Sequence, residues 1–257
     1  MTGRLLDHPP TEPELSRLYF ELAKRGAPSV GSESPWPYAP ESPEQLVALG
    51  ADMMRWDARL LSILLAFLLE HWRELDVVRL RAEMKRMRSP QALLVVGELA
   101  REATADTELR YYLDHLAAGY RRVAPAERFF LGGLPPESRT HRRRLGRSLA
   151  AYSKWGFVGT ERPAADVFHK RLVGRYDAST RRAIARDLAR ERPGFKLAEY
   201  LDAIEHSVNR QQALTDLRAV PELHVEGHGR GARWSLGRAR PHRTGGRTPR
   251  PTARRGR

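Results

Sequence analysis

Cysteine is absent from the 257 residues, which excludes disulfide staples and thiolate metal sites. A chain without cysteine fits a reducing compartment, and the expectation is a cytoplasmic protein. No charged-then-apolar leader opens the sequence. The longest apolar run, LLSILLAFLL at 60–69, lies between Arg59 and Glu70, well short of the roughly 20 residues that a bilayer-spanning helix needs. It reads as a buried core helix, and no membrane partner is expected. No fixed-period repeat is visible. Acidic residues are missing altogether from 237–257, where eight arginines stand.

What is present suffices for folding. Hydrophobic residues make up 41% of the chain, enough for one large domain or two small ones with real cores. The formal net charge of +14 is unevenly divided: residues 1–134 carry 17 Lys+Arg against 19 Asp+Glu, and residues 135–236 carry 20 against 12. A polyanion-facing surface therefore belongs in the C-terminal part.

The front half is helical by period. TEPELSRLYFELAKRG sets Thr11 and Glu14 at capping-box spacing and Gly26 at a stop, so a first helix is expected over about 12–25. The stretch 27–43 holds five prolines and should be an irregular loop, with Trp36 and Tyr38 pinning it to the bundle. From Pro43 to about Val123 three or four long helices are expected, with Leu60, Ile63, Leu64, Phe67 and Leu68 at helical spacing. Breaks fall near Leu75 and Asp76, near Ser89 and Pro90, and near Thr104 to Asp106. Such short connections favour antiparallel neighbours in a bundle.

PAERFFLGGLPPESRTHRRRLGR, residues 125–147, has Gly-Gly, Pro-Pro and then a run of arginines, the composition of a domain boundary. A helix through LGRSLAAYSKWG should follow, then a stretch around PAADVFHKRLVG of unassigned form. Asp177 or Ser179 opens a helix to about Glu191, with Ile184 and Leu188 inward and Pro193-Gly194 closing it.

KLAEYLDAI, residues 196–204, places Leu197, Leu201 and Ile204 on one face of a short helix. A tight link leads to Asn209, which can cap the next helix, with Gln212 at capping-box spacing and Val208 as a staple. In that helix Ala213, Leu217 and Val220 form the inward stripe, joined by Leu214. Arg210, Gln211, Thr215 and Arg218 point outward. Arg and Gln are the side chains able to make bidentate bonds to guanine and adenine edges. Pro221 stops the helix, and LHVEG and ARWSL form a hairpin about HGRG. Leu223, Val225, Trp234 and Leu236 can alternate inward there, with Arg230 and Arg233 at tip and edge.

The order of helix 179–191, helix 196–204, helix 209–220 and a two-strand hairpin resembles a winged helix-turn-helix domain. NRQQALTDL resembles the recognition helices of bacterial winged-helix transcription regulators, and GHGRGARWSL resembles their wing. The resemblance covers about a quarter to a third of the chain and names no subfamily. It implies double-stranded DNA binding through Asn209, Arg210, Gln211, Thr215, Arg218, Arg230 and Arg233, with helix 209–220 in the major groove and the wing on the backbone or in the minor groove. Asn209 stands where such helices often start with Ser or Thr, and caps equally well. Arg142, Arg143, Arg144 and Arg147 and the arginine tail would satisfy any polyanion, DNA or RNA.

Signs of catalysis are weak. His224, Glu226 and His228 in HVEGH would share one face of a strand at metal-ligand spacing, yet a fourth ligand is not evident, and the polar outer face of a wing explains them equally. GHGRG lacks the following helix and lysine of a P-loop. GSES at 31–34 resembles the start of a nucleotidyltransferase active site, but no paired aspartates follow. Ser153, Asp166 and His169 form no recognisable nucleophile setting. No catalytic residue, metal or cofactor is assigned.

The expected architecture is mainly α: a helical bundle over 1–134 that binds a partner protein or a second copy, and a basic linker and helical segment over 135–176. A winged helix-turn-helix with a small β-hairpin wing over 177–236 and a disordered Arg-rich tail over 237–257 complete it. The expected function is a DNA-binding transcriptional regulator. The alternative is an antitoxin-like interaction component, whose bundle binds a partner and whose winged helix represses its own operon.

Overall fold

Helix starts in this chain are written by side chains that satisfy free backbone N–H groups. In the computed structural model, which describes residues 4–131, 148–163 and 172–237, Thr11 caps helix α1 (Glu12–Ala23) in a closed box. The Thr11 hydroxyl accepts from Glu14 N–H, and the Glu14 carboxylate accepts from Thr11 N–H at 2.7 Å. Ser42 caps α2 (Pro43–Met53), Asp76 caps α4 (Val77–Met84) and Asp106 caps α6 (Thr107–Ala117).

The apolar run at 60–69 is helix α3 (Arg59–His71), buried on nearly every side, and it packs on α5 (Gln91–Ala103) at the centre of the first core. Five α-helices occupy 43–117 among the described residues, more than the three or four expected. The unforeseen break lies at 54–58, which has neither proline nor glycine. Asp57 makes the turn there, accepting from Arg59 N–H. Among the described residues, no helix is long and apolar enough to cross a membrane.

Residues expected in a linker belong to this first core. Ala151, Tyr152, Trp155 and Phe157 are buried in it together with Phe129. The expected helix there is short, α7 (Ala150–Lys154). Strand β2 (Glu127–Arg128) pairs in parallel with β3 (Phe157–Val158), closing the chain on both sides of 132–147. That segment, with its arginine cluster, lies outside the described residues, as do 164–171 with Asp166 and His169, and the tail 238–257.

The loop 27–43 is irregular except for β1 (Ser29–Val30), which pairs in parallel with β4 (Val173–Gly174). Trp36 and Tyr38 pack against the first core from its surface.

A second core follows. Asp177 caps α8 (Ala178–Glu191). Strand β5 (Phe195–Lys196), α9 (Leu197–Ala203), α10 (Arg210–Arg218), β6 (Leu223–Glu226) and β7 (Arg233–Leu236) complete the unit. The strands make one antiparallel sheet in the order β5-β7-β6. Phe195, Tyr200, Ile204, Ala213, Leu217, Val220 and Trp234 are buried between helices and sheet, each of the larger ones contributing about 1.5–3 kcal/mol by burial. The chain is thus mainly helical, with a few small strands.

Several details depart from the sequence-based expectation. Ile184 and Leu188 pack against the core as expected but stay half-buried, and the fully buried residues of α8 are Arg181, Ala185 and Ala189, which the sequence does not single out. Small residues on that face let α9 and α10 approach closely. Val225 and Leu236 are exposed at 48% and 36%. The hairpin projects beyond the helices, so of its apolar positions Trp234 alone is fully covered and Leu223 is half-covered.

Candidate nucleic-acid interface

Helix α10 is set by its first residue and its inner stripe. The Asn209 side chain accepts from Gln212 N–H at 2.9 Å, while Ala213, Leu217 and Val220 are buried. The reciprocal half of the expected capping box is missing. The Gln212 side chain runs along the helix instead, where Nε2 donates to Asp216 Oδ1 at 3.1 Å in a charge-assisted bond.

The outer face carries the residues singled out in the sequence. Arg210, Gln211, Thr215 and Arg218 are all exposed, with 211, 215 and 218 in one line along the helix. Thr215 spends its hydroxyl proton on Gln211 O at 3.1 Å. Neither Arg210 nor Arg218 forms an ion pair with a described residue, so both guanidiniums are free to meet an outside anion.

What holds that face in place is a buried ion pair that the sequence does not announce. Arg181, 2% exposed, donates from Nε to Asp216 Oδ2 at 2.7 Å and from Nη1 to Glu12 Oε1 at 2.7 Å. Burial works against the charged guanidinium, but the bonds to Asp216 and Glu12 outweigh it and hold the proton more firmly than usual. One arginine therefore ties α8, α10 and α1 together. The one available signal is Asp216 itself, a charge on the inner stripe of an amphipathic helix.

The link between α9 and α10 is strained. Glu205 and His206 both have positive φ, 48° and 49°, a region costly for residues with a Cβ. His206 N–H donates to Leu201 O at 2.8 Å, and Arg59 Nη1 of the first unit donates to Ser207 O at 2.8 Å and to Gly174 O at 3.2 Å. Arg59 is itself held by Asp57, whose carboxyl stays below its ordinary range. Burial opposes that ionisation, and Arg59 and Arg175 override it.

A second clasp lies at the start of α8. Asp177 Oδ2 accepts from the hydroxyls of Ser32 and Ser34 at 2.6 and 2.7 Å, and Asp177 Oδ1 accepts from Ser179 and from Thr180 N–H. Burial alone would raise this carboxyl, but the hydroxyls of Ser179, Ser32 and Ser34 hold it well below the carboxylate range. The GSES stretch thus serves as a strap between the two units.

In the hairpin, Val225 faces Trp234 and Glu226 faces Arg233 across β6 and β7. Arg233 does not sit on an edge. Strand β5, unforeseen in the sequence, pairs Lys196 with Arg233 on its other side, so Arg233 is exposed on the middle strand and donates to Gly194 O at 3.3 Å. Arg230 falls in the tip turn Gly229–Gly231. His224 Nε2 lies 3.9 Å from Glu226 Oε1, His228 lies beyond the strand, and among the described residues no group of His and carboxylates could hold a metal ion.

The folded unit 177–236 is close to charge balance, with ten Lys+Arg against nine Asp+Glu. Its acids are largely engaged, Asp216 with Arg181, Glu222 with Arg186 and Asp187 with Arg190. The excess positive charge of the back half lies mostly before and after the unit.

No family model matches the chain, and comparison with curated proteins and with solved structures returns no match.

Proposed function

We propose that residues 177–236 form a winged helix that binds double-stranded DNA, and that the chain is a transcriptional regulator. The observation that carries this reading is the outer face of α10. Arg210, Gln211, Thr215 and Arg218 stand exposed, and the two arginines have no ion pair among the described residues. The element order of the unit supports it: three helices, a short strand between the first two, and a hairpin that lays a second strand beside that one.

In this reading α10 enters the major groove, where Arg210 and Gln211 meet base edges and Arg218 meets the backbone. The hairpin, through Arg230 and Arg233, follows the adjacent phosphates. Because the unit itself is nearly neutral, most of the sequence-blind attraction comes from arginines outside it, in 139–147 and 238–257. The bundle supplies a platform for a partner or a second copy.

Anisotropy titrations of the full chain against genomic DNA fragments, with competitor DNA at moderate salt, test the reading. At least one fragment should be preferred over competitor by about 10³-fold or more, as for specific regulators. Equal binding to all fragments would remove sequence-specific regulation from consideration.

A further inference from the structure

Between the first helix of the bundle and the root of α10 lies a cleft of about 670 Å³, lined by Arg59, Arg175, Arg181, Arg182, Ser207 and Asn209, with Glu12 and Asp216 on its walls. Its charge is incomplete. Glu12 and Asp216 neutralise Arg181, and Asp57 is shared between Arg59 at 3.2 Å and Arg175 at 3.9 Å. Arg182 has no acidic partner among the described residues. Four guanidiniums thus stand against three carboxylates.

Its hydrogen bonds are incomplete as well. Ser207 is 1% exposed and its hydroxyl has no hydrogen-bond partner among the described residues; the same holds for Nε of Arg182, and Nε of Arg175 has only Asp57 Oδ2 at 3.9 Å, beyond hydrogen-bond reach. Leaving a buried donor unmatched costs about 1–3 kcal/mol, so three such groups around one positively charged cleft point to acceptors supplied from outside.

We infer that this cleft is a binding site for a small phosphorylated ligand. Guanidinium forks match phosphate oxygens in pairs, and the three oxygens of a terminal phosphate can serve Arg175, Arg182 and Ser207 together, whereas a carboxylate has only two. The volume lies in the range of small-molecule sites, leaving room for the body of a ligand beyond its phosphate. Ser207 belongs both to the cleft wall and to the strained link before α10, and Arg59 on the same wall donates to the Ser207 carbonyl at 2.8 Å, so an occupant bears on that helix. The site itself does not depend on α10 lying on DNA.

Isothermal titration of the full chain with inorganic pyrophosphate, at matched ionic strength in chloride, is the test, with Arg182→Gln and Ser207→Ala beside the wild type. The Arg182 side chain makes no hydrogen bond or ion pair among the described residues, so Arg182→Gln should keep its circular dichroism and melting profile. The expected result is saturable one-to-one binding, weakened at least tenfold in Arg182→Gln and measurably in Ser207→Ala. Absence of saturable binding at millimolar pyrophosphate overturns the inference, as does equal affinity in Arg182→Gln, which would place the anion on other arginines. If pyrophosphate fails to bind while Arg182→Gln lowers the salt slope of DNA binding by about 0.9, the cleft holds a backbone phosphate and the free-ligand inference falls. Pyrophosphate binding without any DNA binding would leave the inference standing and remove the proposed function.

Discussion

Replacing Asp216 by leucine leaves Arg181 buried with one of its two carboxylate partners. The pair is 2.7 Å long and both side chains are nearly inaccessible, at 2% and 1% exposure. Removing one member of such a pair costs about 3–5 kcal/mol, because the surviving charge stays buried. Glu12 remains on Arg181 Nη1, so the lower end, about 3 kcal/mol, is expected for Asp216→Leu. Arg181→Met should cost a similar amount, since it strands the Asp216 carboxylate. The double variant Arg181→Met/Asp216→Leu removes both charges and fills the space with apolar groups. It should lie within about 1 kcal/mol of the wild type, far from the sum of the single losses. Urea unfolding followed by circular dichroism reads this directly: with a slope of about 2 kcal/mol/M, each single variant moves the midpoint by about 1.5 M. Single losses under about 1 kcal/mol, or a double variant as unstable as the sum, would refute the role given to this pair.

Three further outcomes rest on the same structural features. Asp177 and Asp57 titrate below their ordinary value when folded, so the stability they give is complete above pH of about 4 and is lost as pH falls through their folded values. The drop in urea midpoint from pH 7 to pH 3 should be smaller in Asp177→Asn, and an unchanged drop counts against the strap. A Cβ on Gly31 would stand 2.0 Å from Ser16 O and 2.6 Å from Phe20 N; Gly31→Ala should therefore destabilise the fold by about 1–3 kcal/mol by forcing the loop off α1, and an unaltered melting temperature would contradict the close approach. Deleting 238–257 should weaken binding to all duplexes alike and flatten the salt dependence by about 0.9 for each phosphate that the tail no longer neutralises, whereas a selective weakening on one sequence would show that the tail reads bases.

Local signals in the sequence are more legible than long-range pairings. Thr11 and Asn209 cap helices where their spacing places them, Asp76 and Asp106 open helices at two of the expected breaks, Asp177 rather than Ser179 opens α8, and Ala213, Leu217 and Val220 are buried as their spacing requires. Pairings between distant residues leave almost no local trace. Arg181 reads as a solvated arginine until Asp216 and Glu12, 35 and 169 residues away, close on it. Ser32 and Ser34 look like a loop motif until Asp177 arrives. Strand β5 is two residues long and exists because β7 pairs with it, so no period could announce it. Tyr200 falls beside the Leu197-Leu201-Ile204 stripe, yet it is the buried side chain of α9, its hydroxyl donating to Arg181 O at 3.1 Å. Which side chains of α10 stand exposed is legible because that follows from the helix period and its inner stripe, whereas the ion pair that holds the helix in place is not.

The most direct test of that face is the affinity ratio between a selected duplex and a scrambled one, for the wild type and for Arg210→Ala/Gln211→Ala, by anisotropy at fixed salt. The expected result is a ratio that falls by about 10-fold or more, as one or two bidentate pairings with base edges, worth roughly 1–3 kcal/mol each, are removed, with affinity for the scrambled duplex little changed. A ratio that stays the same in the double variant would mean that α10 does not read the bases.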